Sequence, residues 1–99
     1  MDIGIFSYIN AKYGVELKDN VQIGSHCSLY SVSTIDNKKG SILVKSNAKI
    51  GTHSVVMPGV TIGKNSIVGA FSFVNRDIPD NCVAMGVPAK VTGKIKKNL

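Results

Sequence analysis

A small or aliphatic residue recurs every six positions along this chain: Ile5, Ala11, Leu17, Ile23 and Leu29, then Val44, Ile50, Val56, Ile62, Val68 and Val74. Two places before each stands another, in the series Ile3, Ile9, Val15, Val21, Cys27, Ile42, Ala48, Ser54, Val60, Ser66 and Ser72. Residues two apart share one face of a strand, so both series point inward while their neighbours face out. A six-residue period suits neither a 3.6-residue helix nor a long flat strand. It predicts a solenoid whose coil is three short strands of about six residues, each turning a corner into the next. Coils must stack, because one alone cannot bury its inner face. Gly24, Gly51, Gly63 and Gly69 each follow an inward aliphatic residue, at corners where positive φ or close chain approach favours glycine.

The step of six fails once, between Leu29 and Val44. Units taken in threes give coils at residues 3–20, 21–47 and 48–65, with a partial fourth from Ser66. Coil two holds 27 residues rather than 18, and the nine extra form an inserted loop at residues 33–41, STIDNKKGS. An insertion at a corner leaves the stack intact and is where such a scaffold carries function. This register places Tyr8, His26, His53 and Phe71 at one corner of successive coils, the histidines in the matching settings IGSH and IGTH. The two imidazoles then lie about 5 Å apart, by strand spacing. Such a column is either aromatic packing at a subunit contact or the home of a general base, which imidazole can be near neutral pH. After Val74 the run NRDIPDNCVAMGVPAKV breaks the period. Pro79 and Pro88 cannot donate to a strand ladder, which predicts a cap crossing the end of the stack. The expected organisation is one β-helix domain over residues 1–99, with coils at 3–80 and a cap and basic tail at 81–99.

Charge adds one candidate. The formal net charge is +6, and residues 81–99 carry Lys90, Lys94, Lys96 and Lys97 with no acid. That tail is either a solvated end or a site for a phosphate-rich small molecule. Aromatics are few and not interleaved with the lysines, which argues against nucleic acid. No run of 18 apolar residues marks a membrane span, and the start MDIGIFSYIN lacks the layout of a signal peptide. A soluble, cytoplasmic protein is therefore expected. Cys27 and Cys82 have no metal-ligand spacing and read as free thiols in a reducing compartment, with no metal implied. Open coil ends and flat faces favour self-association with closed symmetry.

Residues 50–91, IGTHSVVMPGVTIGKNSIVGAFSFVNRDIPDNCVAMGVPAKV, resemble the C-terminal signature of the hexapeptide-repeat acyltransferases, which include galactoside, maltose and nucleotide-amino-sugar acetyltransferases. The specific element is PGVTIG, VNRDIP and GVPAKV in that order, and weaker repeat matches extend the resemblance over residues 3–91. It implies an all-β, left-handed parallel β-helix of about four coils, assembled as a homotrimer with active sites between neighbouring subunits. It also implies transfer of an acetyl group from acetyl-CoA to an amino or hydroxyl group of a sugar, such as a cell-surface polysaccharide precursor. Carried over by residue, Thr52 matches a position near the thioester, where a backbone N–H can bind the carbonyl oxygen. Ala70 matches a backbone contact to the pantetheine arm. Asn75 and Arg76 match a pair beside the nucleotide phosphates, and Lys90 matches a basic residue in the same role.

One departure from the pattern bears on mechanism. Sugar O-acetyltransferases of this kind carry a base histidine in the inserted loop, where this chain has Thr34, with Asp36 the nearest acid. His26 aligns with an acceptor-contacting asparagine. The catalytic candidates are therefore His26, with His53 stacked on it as an orienting partner, and Asp36 as the alternative base. A missing loop histidine tilts the expectation toward an amine acceptor. The alternatives are a catalytically inactive hexapeptide-repeat scaffold or a truncated relative. A γ-type carbonic anhydrase needs three zinc histidines and the chain has two. An ice-binding solenoid needs repeated threonine ladders, and the outer positions Lys12, Lys18, Tyr30, Lys45 and Met57 are varied. Relatives commonly have further N-terminal coils or domains, so the chain is either a minimal member or a piece of one.

Overall fold

Residues 2–33 and 38–95 are described by a computed structural model, and every regular element among them is a strand. The two inward series build the interior from the second coil onward. Val21, Leu29, Val44, Val56, Ile62 and Val74 are fully enclosed, and Ser54, Ser66 and Ser72 are buried in the same stack. A hydroxyl in such an interior must find an acceptor. Ser54 and Ser72 both donate to the Gly69 carbonyl, at 3.1 and 2.7 Å, and Ser66 donates to that of Pro79.

Three parallel sheets form the three faces. The first holds β1 (Asp2–Ile3), β4 (Gln22–Ile23), β9 (Lys49–Ile50), β12 (Ile67–Val68) and β14 (Cys82–Gly86). The second holds β2 (Tyr8–Asn10), β5 (Ser28–Tyr30), β10 (Val55–Val56) and β13 (Phe73–Val74). The third holds β3 (Val15–Leu17), β8 (Ile42–Val44) and β11 (Thr61–Ile62). Among the described residues no helix is long and apolar enough to cross a membrane.

Coil one departs from the expected register. Ile3 pairs with Ile23 and Ile9 with Leu29, so Ile3 and Ile9 take the line expected for Ile5 and Ala11. Ile5 is 70% exposed and Ala11 is exposed too. The cause is a widened turn at residues 11–14, where Gly14 (φ 102°) bonds back to the Ala11 carbonyl at 2.9 Å. From there the expected register returns, with Leu17 opposite Val44. The inserted loop leaves the same corner one coil later. Its stem is the antiparallel pair β6 (Val32–Ser33) and β7 (Lys38–Lys39), closed by the Gly40 N–H on the Ser31 carbonyl at 2.9 Å. Thr34 and Asp36 lie outside the described residues.

The C-terminal segment does not cross the end of the stack. Ile78 bridges Ile62, β14 adds in parallel to β12, and β15 (Ala89–Lys94) folds back antiparallel as the edge. Aspartates make the fourth coil possible despite its prolines. Asp77 accepts the Thr61 N–H at 2.8 Å and Asp80 accepts the Lys64 N–H at 2.7 Å, in place of strand carbonyls.

At the corners, the two explanations open for glycine separate. Gly51 has ordinary negative φ, but a Cβ there would stand 2.5 Å from the Ala70 nitrogen, so close stacking requires it. Positive φ falls two residues later instead. It is carried by Phe6, His26, His53 and Phe71 at one corner and by Asn20, Asn47, Asn65 and Asn81 at another. Asparagine tolerates this conformation well. Bulky rings there store strain of about 1–3 kcal/mol each, which marks that corner.

Candidate functional site

The strained corner lies between the first and second sheets. His26 and His53 stack with centroids 4.6 Å apart and planes at 4°, and Phe71 continues the stack 4.8 Å from His53. Phe6, not Tyr8, completes the column, 5.1 Å from His26. Tyr8 moved out of it with the coil-one register and instead pairs with Ser28, its ring 5.6 Å from that of Tyr30. A signal for Phe6 was in the sequence: Gly4-Ile5-Phe6 matches Gly24-Ser25-His26, Gly51-Thr52-His53 and Gly69-Ala70-Phe71.

The middle residues of these triplets form a second column beside the rings. Thr52 Oγ1 stands 2.7 Å from the Ser25 carbonyl, 3.2 Å from Ser25 Oγ and 2.9 Å from His53 Nδ1. A carbonyl can only accept, so the one hydroxyl proton of Thr52 goes to it. His53 Nδ1 must then be the donor in its contact with Thr52, which leaves Nε2 with the lone pair in neutral imidazole. Among the described residues, the backbone N–H groups of Thr52 and Ala70 have no hydrogen-bond partner. Beneath the column Cys27 is fully buried, its thiol donating to the Gly51 carbonyl at 3.2 Å. Burial pushes that thiol's pKa up from the ordinary value.

The remaining candidates are spread out. Thr52 and Ala70 are stacked neighbours, since Gly51 packs against the Ala70 backbone. Lys90 lies two strands further, on β15, opposite Met85 of β14, whose Cβ packs on Gly69. Asn75 and Arg76 are exposed at the far end of β13, separated from Ala70 by the width of the second sheet. Across that sheet runs an open groove of about 530 Å³ lined by Tyr8, Asn10, Tyr30, Val32, Met57 and Phe73. Sequence periodicity marked Tyr30 and Met57 only as outward residues and put Tyr8 at the corner, because a groove depends on how adjacent coils and the hairpin stem stand together.

The family described as bacterial transferase hexapeptide (six repeats) matches residues 41–76. The chain is 42% identical over 92 residues to galactoside O-acetyltransferase of Escherichia coli (strain K12), a match covering 84% of this chain and 45% of that protein. The chain thus spans about half the length of the curated relatives it matches. A solved galactoside acetyltransferase in complex with coenzyme A superposes with a TM-score of 0.83 at 36% identity, covering 91% of this chain and 50% of the other. A point mutant of the N-acyltransferase AntD from Bacillus cereus, in complex with dTDP-4-amino-4,6-dideoxyglucose and coenzyme A, superposes with a TM-score of 0.88 at 25% identity, covering 96% of this chain and 60% of the other. With three parallel faces, glycine-ended corners and these likenesses, the chain belongs to the left-handed β-helix family of hexapeptide-repeat proteins.

Proposed function

We propose that this chain is the β-helical part of an acyltransferase that moves an acetyl group from acetyl-CoA to an amino or hydroxyl group of a sugar. The observation that carries the reading is the corner itself, where an oriented imidazole stands beside two backbone N–H groups without partners. The likeness to galactoside acetyltransferase and AntD, both solved with coenzyme A, supports the donor.

In this mechanism the acceptor nitrogen or oxygen attacks the thioester carbonyl carbon and passes its proton to His53 Nε2. Charge gathers on the carbonyl oxygen, where preorganised backbone N–H donors such as those of Thr52 and Ala70 stabilise it. The C–S bond then breaks and the proton goes from His53 to the departing sulfur. Thr52 serves twice, by its N–H and by the hydroxyl that fixes His53. His26 stacks face to face on His53 and helps hold that ring in place. Hence His53 is the first candidate for the base, His26 the second, and Asp36 a third that would reach in from the inserted loop. Arg76, Asn75 and Lys90 are assigned to the donor's phosphates by the family resemblance, although they stand on different faces of the β-helix. The exposed Phe6 and Phe71 rings suit a contact between subunits of a homotrimer, and two buried free thiols suit a reducing cytoplasm.

The test is thiol release from acetyl-CoA with a panel of amino and neutral sugars, alongside calorimetric binding of coenzyme A. Sugar-dependent release is expected. Tight binding without release on any sugar would leave only a non-catalytic scaffold.

A further inference from the structure

The widened turn of coil one and the inserted hairpin meet at one place that the proposed reaction does not use. Tyr13 lies on the widened turn of coil one, and its N–H is held by Ser31 Oγ at 2.9 Å, where the inserted hairpin leaves. Lys12, on the same turn, has its ammonium 5.7 Å from the Tyr13 ring centroid, and Lys39, on the returning strand β7, has its own 5.6 Å away. Each ammonium is attracted by the ring face, but two like charges on one ring repel. Two positive charges at one ring favour an anion beside them. Among the described residues the only ion pair joins Lys18 and Glu16, so no described carboxylate takes this place.

The pair also borders the groove. Lys39 stands opposite Val32, a groove residue, and the Lys12 N–H is anchored at 3.1 Å by Oδ1 of Asn10, another. The groove crosses the second sheet from Tyr8, Val55 and Phe73, each two residues past a ring of the column, to Asn10, Val32 and Met57 beside this corner. The two corners stand roughly 10–15 Å apart at about 3.3 Å per residue. The rings of Tyr8 and Tyr30 line it between the two ends. A sugar with its reacting group at the histidine end would place a remote substituent beside the two lysines.

We propose that Lys12, Lys39 and Tyr13 form an anion site for the acceptor, which therefore carries a phosphate or carboxylate away from the atom that is acylated. This rests on the acyl-transfer reading above. The charge can come from the diphosphate of a sugar nucleotide or from an acidic sugar in an oligosaccharide.

The experiment titrates dTDP and, separately, a sialic acid oligomer into the wild type and the surface variant Lys12→Ala/Lys39→Ala, with coenzyme A binding and acetyl transfer measured in parallel. One probe should bind the wild type and bind the variant about 10–100-fold more weakly, the range for losing charge-assisted contacts. Which probe responds identifies the source of the charge. Coenzyme A affinity and transfer to a neutral galactoside should be unchanged. Failure of both probes to bind, or equal binding to both proteins, overturns the anion site while transfer shows the enzyme reading intact. Weakened coenzyme A binding in the variant also overturns it, since the lysines would then serve the donor. Anion binding without transfer to any sugar sinks the acyl-transfer reading, and the acceptor role with it.

Discussion

Thr52 Oγ1 stands 2.9 Å from His53 Nδ1 while giving its own proton to the Ser25 carbonyl at 2.7 Å, so it sets which imidazole nitrogen is left to take a proton. Among the described residues no equivalent side-chain bond serves His26, whose preceding residue, Ser25, has its hydroxyl turned to Thr52.

That difference ranks the base candidates. Loss of a general base costs about 10²–10⁴-fold, so His53→Ala should lower kcat by that much with coenzyme A affinity nearly unchanged. His26→Ala should cost less. Thr52→Val keeps the ring but not its tautomer, and should lower kcat by about 10-fold, the lower end of what a lost hydrogen bond to a reacting group costs, with Thr52→Ser restoring most of it. The comparison is kcat for these variants and Asp36→Asn with one acceptor. If only Asp36→Asn is crippled, the base sits on the loop and the histidine stack is packing.

A second expectation concerns assembly. Phe71 is 64% exposed and holds φ at 60°, a conformation asparagine adopts more easily. Phe71→Asn should relieve strain, of about 1 kcal/mol or more, in the separate chain while removing a ring from the proposed contact. Light scattering at micromolar concentration should give a trimer for the wild type and a smaller species for the variant. A wild-type monomer would remove the intersubunit site.

Core substitutions test the register. Leu29 is fully buried, so Leu29→Ala should cost about 2–5 kcal/mol. Ile9 packs on the core and Ile5 does not. Ile9→Ala should therefore cost about 1 kcal/mol or more, whereas Ile5→Ala should stay within about 0.5 kcal/mol. Urea midpoints for the three variants decide it.

The same pair shows what the sequence could and could not carry. Inward positions from Val21 to Val74 were legible because a strand alternates faces and a coil repeats every three strands. Ile5 and Ala11 were misread as inward because the widened turn at residues 11–14 adds two residues without disturbing the aliphatic spacing, so two registers fitted equally well. Ile78 and Ala84 were missed for the opposite reason: the fourth coil is two residues short, and aspartate side chains replace the strand bonds that proline removes. In the site, the histidine stack followed from spacing alone. The Thr52–His53 bond and the Lys12–Tyr13–Lys39 cluster did not, since each depends on side-chain placement at a corner.

Glycine 51 offers a control for stacking. Gly51→Ala would press a Cβ to 2.5 Å from the Ala70 backbone nitrogen, whereas a Cβ at Gly93 meets nothing within 4 Å. Gly51→Ala should destabilise by about 2 kcal/mol or more, as overpacking against backbone does, and Gly93→Ala should be nearly neutral. Thermal melts compare them directly.

The last prediction uses Cys27. Burial raises its thiol pKa above the model-compound value of 9.0, because the thiolate is penalised in the interior. The unfolded chain therefore releases this proton at lower pH than the folded chain does. The resulting stability is fully present below the unfolded value and is lost as pH rises through it toward the folded one. Urea midpoints should fall as pH rises above about 8.5, the ordinary thiol value, and Cys27→Ala should fall less steeply. The difference between the two slopes isolates Cys27, the one titratable group that the two proteins do not share. The thiol should also resist iodoacetamide until the chain unfolds, since it has no exposed surface. Identical pH slopes, or rapid alkylation of folded protein at Cys27, would mean that the second coil is open at the corner beneath His53.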